Sequence, residues 1–127
     1  MSDNPKHIPV SLTVARVPEG GNTGHERYFF VFEPHPVLVR LSDSRLTFSL
    51  SDESPNYIIE DMITSDARDQ IGPFEIAPSG REVTVAVRNS VAYLVQVALL
   101  LRDKETGETV VCDPQVVCRP PPHTAGG

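Results

Sequence analysis

Hydrophobic side chains fall at alternate positions along most of this chain. Val10, Leu12 and Val14 are separated by Ser11 and Thr13, a period of two that sends the two sets to opposite faces of an extended strand. Pro9 suits the start or edge of that strand because it offers no ladder N–H. Leu46, Phe48 and Leu50 repeat the pattern with Thr47 and Ser49 opposite, and Val83, Val85 and Val87 repeat it again. Tyr28, Phe29, Phe30, Val31 and Phe32 have the aromatic and β-branched composition of a buried strand. Further extended segments are predicted at 37–41, 57–63, 74–76, 109–112 and 115–118. Clusters rich in Gly, Pro, Asn and Ser at 19–24, 42–44, 51–56, 78–80 and 88–90 punctuate them as turns. The polar stretch 65–72 predicts a loop or one short helical turn.

Residues 92–101 fit two elements. As a helix they would be capped by Ser90 and ended by Gly107. As a strand they place Tyr93, Val95, Val97, Leu99 and Leu101 on one face and Ala92, Leu94, Gln96, Ala98 and Leu100 on the other. The strand is preferred, since residues 103–108 read as a hairpin loop leading into another extended pair. Both faces of that strand are then largely apolar, and a two-layer fold buries only one. Leu94, Gln96, Ala98 and Leu100 are accordingly the expected interface with a protein partner.

Seven to nine short strands with turn signals every 8–12 residues predict an all-β fold. The specific expectation is an antiparallel β-sandwich of immunoglobulin-like or fibronectin-like type. No alternation of strand and helix argues for a doubly wound nucleotide fold. At 127 residues there is room for one domain, expected over 8–119, with a flexible N-terminus at 1–7 and a disordered Pro/Gly tail at 120–127. Pro120, Pro121 and Pro122 favour polyproline II there.

Composition narrows the function classes. The chain is 39% hydrophobic and 22% charged, unlike a disordered chain, and no run nears the ~18 apolar residues of a membrane helix. Eleven Lys and Arg against 17 Asp and Glu leave a net charge of -6, which repels nucleic-acid phosphates. No basic stretch followed by an apolar core opens the sequence, so the expectation is no secretory signal and a cytoplasmic location. Cys112 and Cys118 would lie roughly 20 Å apart on a straight strand, far beyond disulfide reach. They read as reduced, buried thiols.

The search for chemistry returns little. His7, His25, His35 and His123 fall in predicted loops or ends, without metal-ligand spacing. Gly20, Gly21 and Gly24 lack the lysine of a phosphate loop and precede a strand. Asp52, Glu53, Glu60, Asp61, Asp66 and Asp69 do not follow a calcium-loop spacing. Cys112 has no nearby histidine to activate it. No catalytic residue, metal or cofactor is indicated, and the chain reads as a non-enzyme.

Two acid–proline pairs remain, Glu33-Pro34 and Asp113-Pro114, each interrupting an apolar strand. The segments Phe30-Val31-Phe32-Glu33-Pro34 and Val111-Cys112-Asp113-Pro114-Gln115-Val116 resemble the DP-EP family, small bacterial proteins without an established activity. That resemblance implies an immunoglobulin-like sandwich. Glu33, His35 and Asp113 are the candidate polar recognition spot; otherwise the pairs are strand-breaking corners. The leading functional expectation is an interaction or assembly domain, self-associating as a homodimer or larger. A carbohydrate- or small-ligand-binding module using Tyr28, Tyr57, Glu33 and Asp113 is the alternative. A hydrolase-like enzyme drawing on His35, Cys112 or paired acids is the third.

Overall fold

The alternation becomes ten strands in the computed structural model, which describes residues 7–21, 27–41, 43–64, 70–90 and 92–119. They are β1 (His7–Arg16), β2 (Tyr28–Glu33), β3 (Val37–Val39), β4 (Ser44–Leu50), β5 (Tyr57–Thr64), β6 (Ile71–Ile76), β7 (Glu82–Val87), β8 (Tyr93–Asp103), β9 (Thr109–Cys112) and β10 (Gln115–Cys118). The described residues form no helix, so none is long and apolar enough to cross a membrane. The expected flexible start and Pro/Gly tail lie outside the described residues, except that His7 already belongs to β1.

The first sheet runs β2-β1-β4-β7-β6 and the second β3-β10-β8-β5, with β9 also on β8. β9 pairs with Leu99 to Arg102 and β10 with Tyr93 to Gln96. The partner positions continue in one register across the gap, so β9 and β10 are a single line along β8, interrupted at Asp113-Pro114. A proline there removes a ladder donor without shifting the register. Residues 93–101 are strand, within β8, the central one of their sheet, and Ala92 stands just before it. Gly107 closes the β8–β9 turn at φ 79°, a conformation open to glycine.

The expectation of a wholly antiparallel structure is corrected. β1 and β4 pair in parallel, as do β3 and β10. The cause is the route of the chain. β2 returns beside β1 as an edge strand, then Glu33-Pro34-His35-Pro36 carries the chain into the other sheet to form β3. When β4 comes back it lies on the other flank of β1, pointing the same way. Ten strands rather than seven to nine form, one for each extended segment read from the sequence, the short β3 and both halves of the interrupted β9–β10 line included. The loop expected over 65–72 fails at its end, where Ile71 and Gly72 open β6; residues 65–69 lie outside the described residues.

The inward positions of both sheets make one core. Val10, Leu12, Val14, Leu46, Phe48, Val83 and Val85 from the first sheet and Val37, Val95, Val97, Leu99, Leu101, Val110 and Val116 from the second belong to one buried cluster. Each such side chain contributes about 1.5–3 kcal/mol on leaving water. Phe32 stacks edge-on against Phe48 at 5.9 Å between ring centres. Cys112 and Cys118 are both buried in this core and are not joined in a disulfide.

Candidate functional site

The polar spot expected from the acid–proline pairs assembles only in part. Glu33 ends β2, and both Glu33–Pro34 and His35–Pro36 are cis. Val37 then pairs with Val116, two residues after Pro114. Both dipeptides therefore lie at the same end of the β3·β10 pair. Glu33, His35 and Asp113 are all exposed, yet among the described residues no hydrogen bond or ion pair joins them. Asp113 does act on its neighbour: burial chiefly, with the charge of Asp113, pushes the Cys112 thiol up to about 12. Such a thiol is protonated at neutral pH and makes a poor nucleophile.

Tyr28 and Tyr57, the aromatics of the ligand-binding alternative, sit at the starts of strands and are buried. Their rings meet edge-on at 6.3 Å, so neither offers a face on which a sugar could stack. The Tyr28 hydroxyl shares its proton between Asp103 Oδ2 at 2.8 Å and Glu108 Oε1 at 2.9 Å, with Thr106 Oγ1 at 3.2 Å. Asp103 is 1% exposed. It also accepts the backbone N–H groups of Glu105 and Thr106 and faces Arg16 Nη1 at 3.7 Å. Burial works to raise the Asp103 carboxyl, but the hydrogen bonds from Tyr28, Glu105 and Thr106 outweigh it and hold the group below its ordinary value. Burial, with Asp103 and Glu108 beside it, pushes Tyr28 up to about 12. This network bolts the β8–β9 turn of one sheet to the edge strand of the other, and every group in it is engaged with the protein itself.

Sequence reasoning missed that network, and it missed Asn89. This residue has φ 51° and is buried. Its Nδ2 donates to the carbonyls of Val39 at 3.0 Å, Leu41 at 3.1 Å and Arg119 at 3.4 Å, tying the end of β7 to β3 and β10. The turn cluster at 88–90 signalled a break but not this clamp. A shallow cleft of about 320 Å³ also went unforeseen, with Asp43, Arg45, Gly72, Ala86 and Arg88 in its walls. It is at the small end of ligand pockets.

The outer face of the second sheet is the feature that stands apart. Cross-strand partners share a face, so the register spells it out. Leu38, Val117 and Leu94 form one row; Gln115 and Gln96 the next; Ile63 and Ala98 a third, with exposed Asp113 opposite Ala98 where the register continues; Asp61, Leu100 and Val111 a fourth. Leu94 and Val111 are each 49% exposed and Ile63 54%. Gln96 is exposed, and Ala98 and Leu100 are half-buried. All four residues expected at an interface therefore point away from the core, joined by Leu38, Ile63, Val111 and Val117 from neighbouring strands. At one end Arg102 Nε donates to Glu60 Oε2 at 2.6 Å. Glu60 reaches it because β5 carries a bulge between Ile59 and Asp61. No family model matches the chain, and neither does any curated protein.

Proposed function

We propose that this protein is a non-enzymatic interaction or assembly domain, built as a β-sandwich of immunoglobulin-like type, and that it binds a protein through the outer face of its second sheet. The observation that carries this is the set of outward apolar residues Leu94, Ala98 and Leu100 on the central strand β8, flanked by Leu38, Val117, Ile63 and Val111 and interrupted by Gln96, Gln115 and Asp113, on a face where a monomer normally presents polar side chains. The central strand β8 supplies rigidity, since it is hydrogen-bonded on both flanks. Kinship with the DP-EP family, to which the two acid–proline corners point, forms part of the same proposal.

The test is site-specific photo-crosslinking in cells. A benzophenone amino acid at position 94 is expected to give a discrete protein adduct, identified by mass, while the same probe at position 82 on the other sheet gives none. No adduct from 94, or equal adducts from both, sinks the reading.

A further inference from the structure

We infer that the protein seated on this face is a second copy of the same chain, stacked sheet on sheet about a two-fold axis. The inference rests on the reading above and deepens it. Size is the first support. β8 has eleven residues, about 36 Å at ~3.3 Å each. Three strands lie abreast at each level, β3-β10-β8 at one end and β9-β8-β5 at the other, spanning about 14 Å at ~4.8 Å each. That outline of roughly 500 Å² per copy, about 1,000 Å² for two, reaches the lower bound of a specific interface.

Shape is the second. Twisted sheets pack face to face when their twists match, and a copy of the same sheet has the same twist. Charge is the third. The chain carries a net charge of -6, yet the Leu94 and Gln96 rows hold no charged side chain among the described residues. Asp113, opposite Ala98 in the continuing register, and Asp61 in the Leu100 row are the carboxylates on the face, and Arg102 at the rim is already paired with Glu60. A two-fold along the Gln96 row holds the two Asp113 carboxylates about four residue rises, roughly 13 Å, apart.

The amides are the most specific support. Gln96 and Gln115 face each other across β8 and β10, are exposed, and have no side-chain hydrogen bond among the described residues. A carboxamide both donates and accepts, so its own copy satisfies it. A two-fold lying in the interface along this row sets Gln96 over the partner's Gln96. It also lays Leu94 of one copy on Ala98 of the other, and Val117 on Asp113.

The experiment combines sedimentation with crosslinking on the full chain. Wild type is expected to sediment as a dimer at micromolar concentration. The double variant Leu94→Lys, Val111→Lys is expected to raise the dimer Kd at least ~100-fold while keeping the wild-type circular dichroism. Stacked sheets stand ~10 Å apart, too far for a disulfide, so Gln96→Cys is treated with a short bismaleimide; Glu82→Cys is the control. Both native cysteines are buried, leaving the introduced thiol as the reactive one. Crosslinked dimer from 96 and none from 82 supports the inference. A monomeric wild type overturns it, and photo-adducts at 94 with a different protein would then preserve the broader reading. A dimer that survives the double variant, or crosslinks through 82, overturns both.

Discussion

The two sheets have equally apolar inner faces and opposite outer ones. On the first sheet the outer rows are His7, Arg45 and Ala86; Pro9, Thr47, Thr84 and Glu75; Ser11, Ser49 and Glu82. Its polar groups bond one another: His7 Nε2 to Thr47 Oγ1 at 2.8 Å, Thr47 Oγ1 to Thr84 Oγ1 at 3.0 Å. Its exposed Phe29 and Val31 stand on the edge strand β2 and Phe74 on the other edge, β6, as Ile63 and Val111 stand on the edge strands β5 and β9 of the second sheet. The second sheet places Leu94, Ala98 and Leu100 on its central strand. Folding a two-layer domain accounts for the inner faces alone. The outer faces are free to differ, so the apolar one records a requirement beyond folding, and contact with another protein is the one we propose.

The largest effect that can break this contrast lies within β8. Leu99 is fully buried while Leu100 next to it faces outward. Leu99→Ala is expected to cost about 2–5 kcal/mol in urea denaturation, through lost burial and the cavity left behind. Leu100→Ala in the monomeric Leu94→Lys, Val111→Lys background should cost under about 1 kcal/mol. Equal costs would mean that both faces are packed within one copy.

Next comes the bolt between the sheets. Tyr28→Phe removes the hydroxyl that donates to buried Asp103 and is expected to cost about 1–3 kcal/mol, read as a lowered urea midpoint. It should leave the dimer intact in sedimentation, because the bolt is not on either outer face.

The same groups set the pH limits. The folded-state value of Asp103 is depressed, so its contribution is present above the unfolded value near ~3.9 and is lost as pH falls through the folded one. Asp103→Asn should flatten that acid limb while lowering stability at pH 7. At the other end Tyr28 is raised from 10.0 and Cys112 from 9.0, each to about 12. The unfolded chain releases those protons first, so stability falls as pH rises from about 9 to 12. Urea midpoints across pH read both limbs; Tyr28→Phe should soften the alkaline one.

Strands were readable wherever one face is buried, because Val10, Leu12 and Val14 or Val83, Val85 and Val87 print the pleat directly onto the sequence. The interface candidates Leu94, Gln96, Ala98 and Leu100 were readable by the same logic, as a second apolar set where one suffices. Pairing was not. Nothing local to β1 or β4 says that they run side by side in parallel, since the route through the Glu33–Pro36 corner decides it. Leu38, Ile63, Val111 and Val117 join the face only through register, which is long-range. Tyr28 and Asp103, 75 positions apart in sequence, read separately as a strand aromatic and a loop acid; their partnership exists only once the sheets stack.

The smallest effect tests the polar face. Thr84→Val keeps the side-chain shape and suits a strand, while removing one hydroxyl from the Thr47–Thr84 pair. Thr47 keeps His7 Nε2 as a partner at 2.8 Å, so no buried group is orphaned. The expected change is within about 0.5 kcal/mol, with the dimer mass unaltered, because one methyl among Ser, Thr and Glu side chains does not make a contiguous apolar patch. Adding Thr13→Val and Ser49→Val should still leave the dimer a dimer unless the face becomes wide enough to recruit a further copy. Mass by light scattering decides it. A single Thr84→Val that dissociated the dimer would place the contact on the first sheet and reverse the assignment of the two faces.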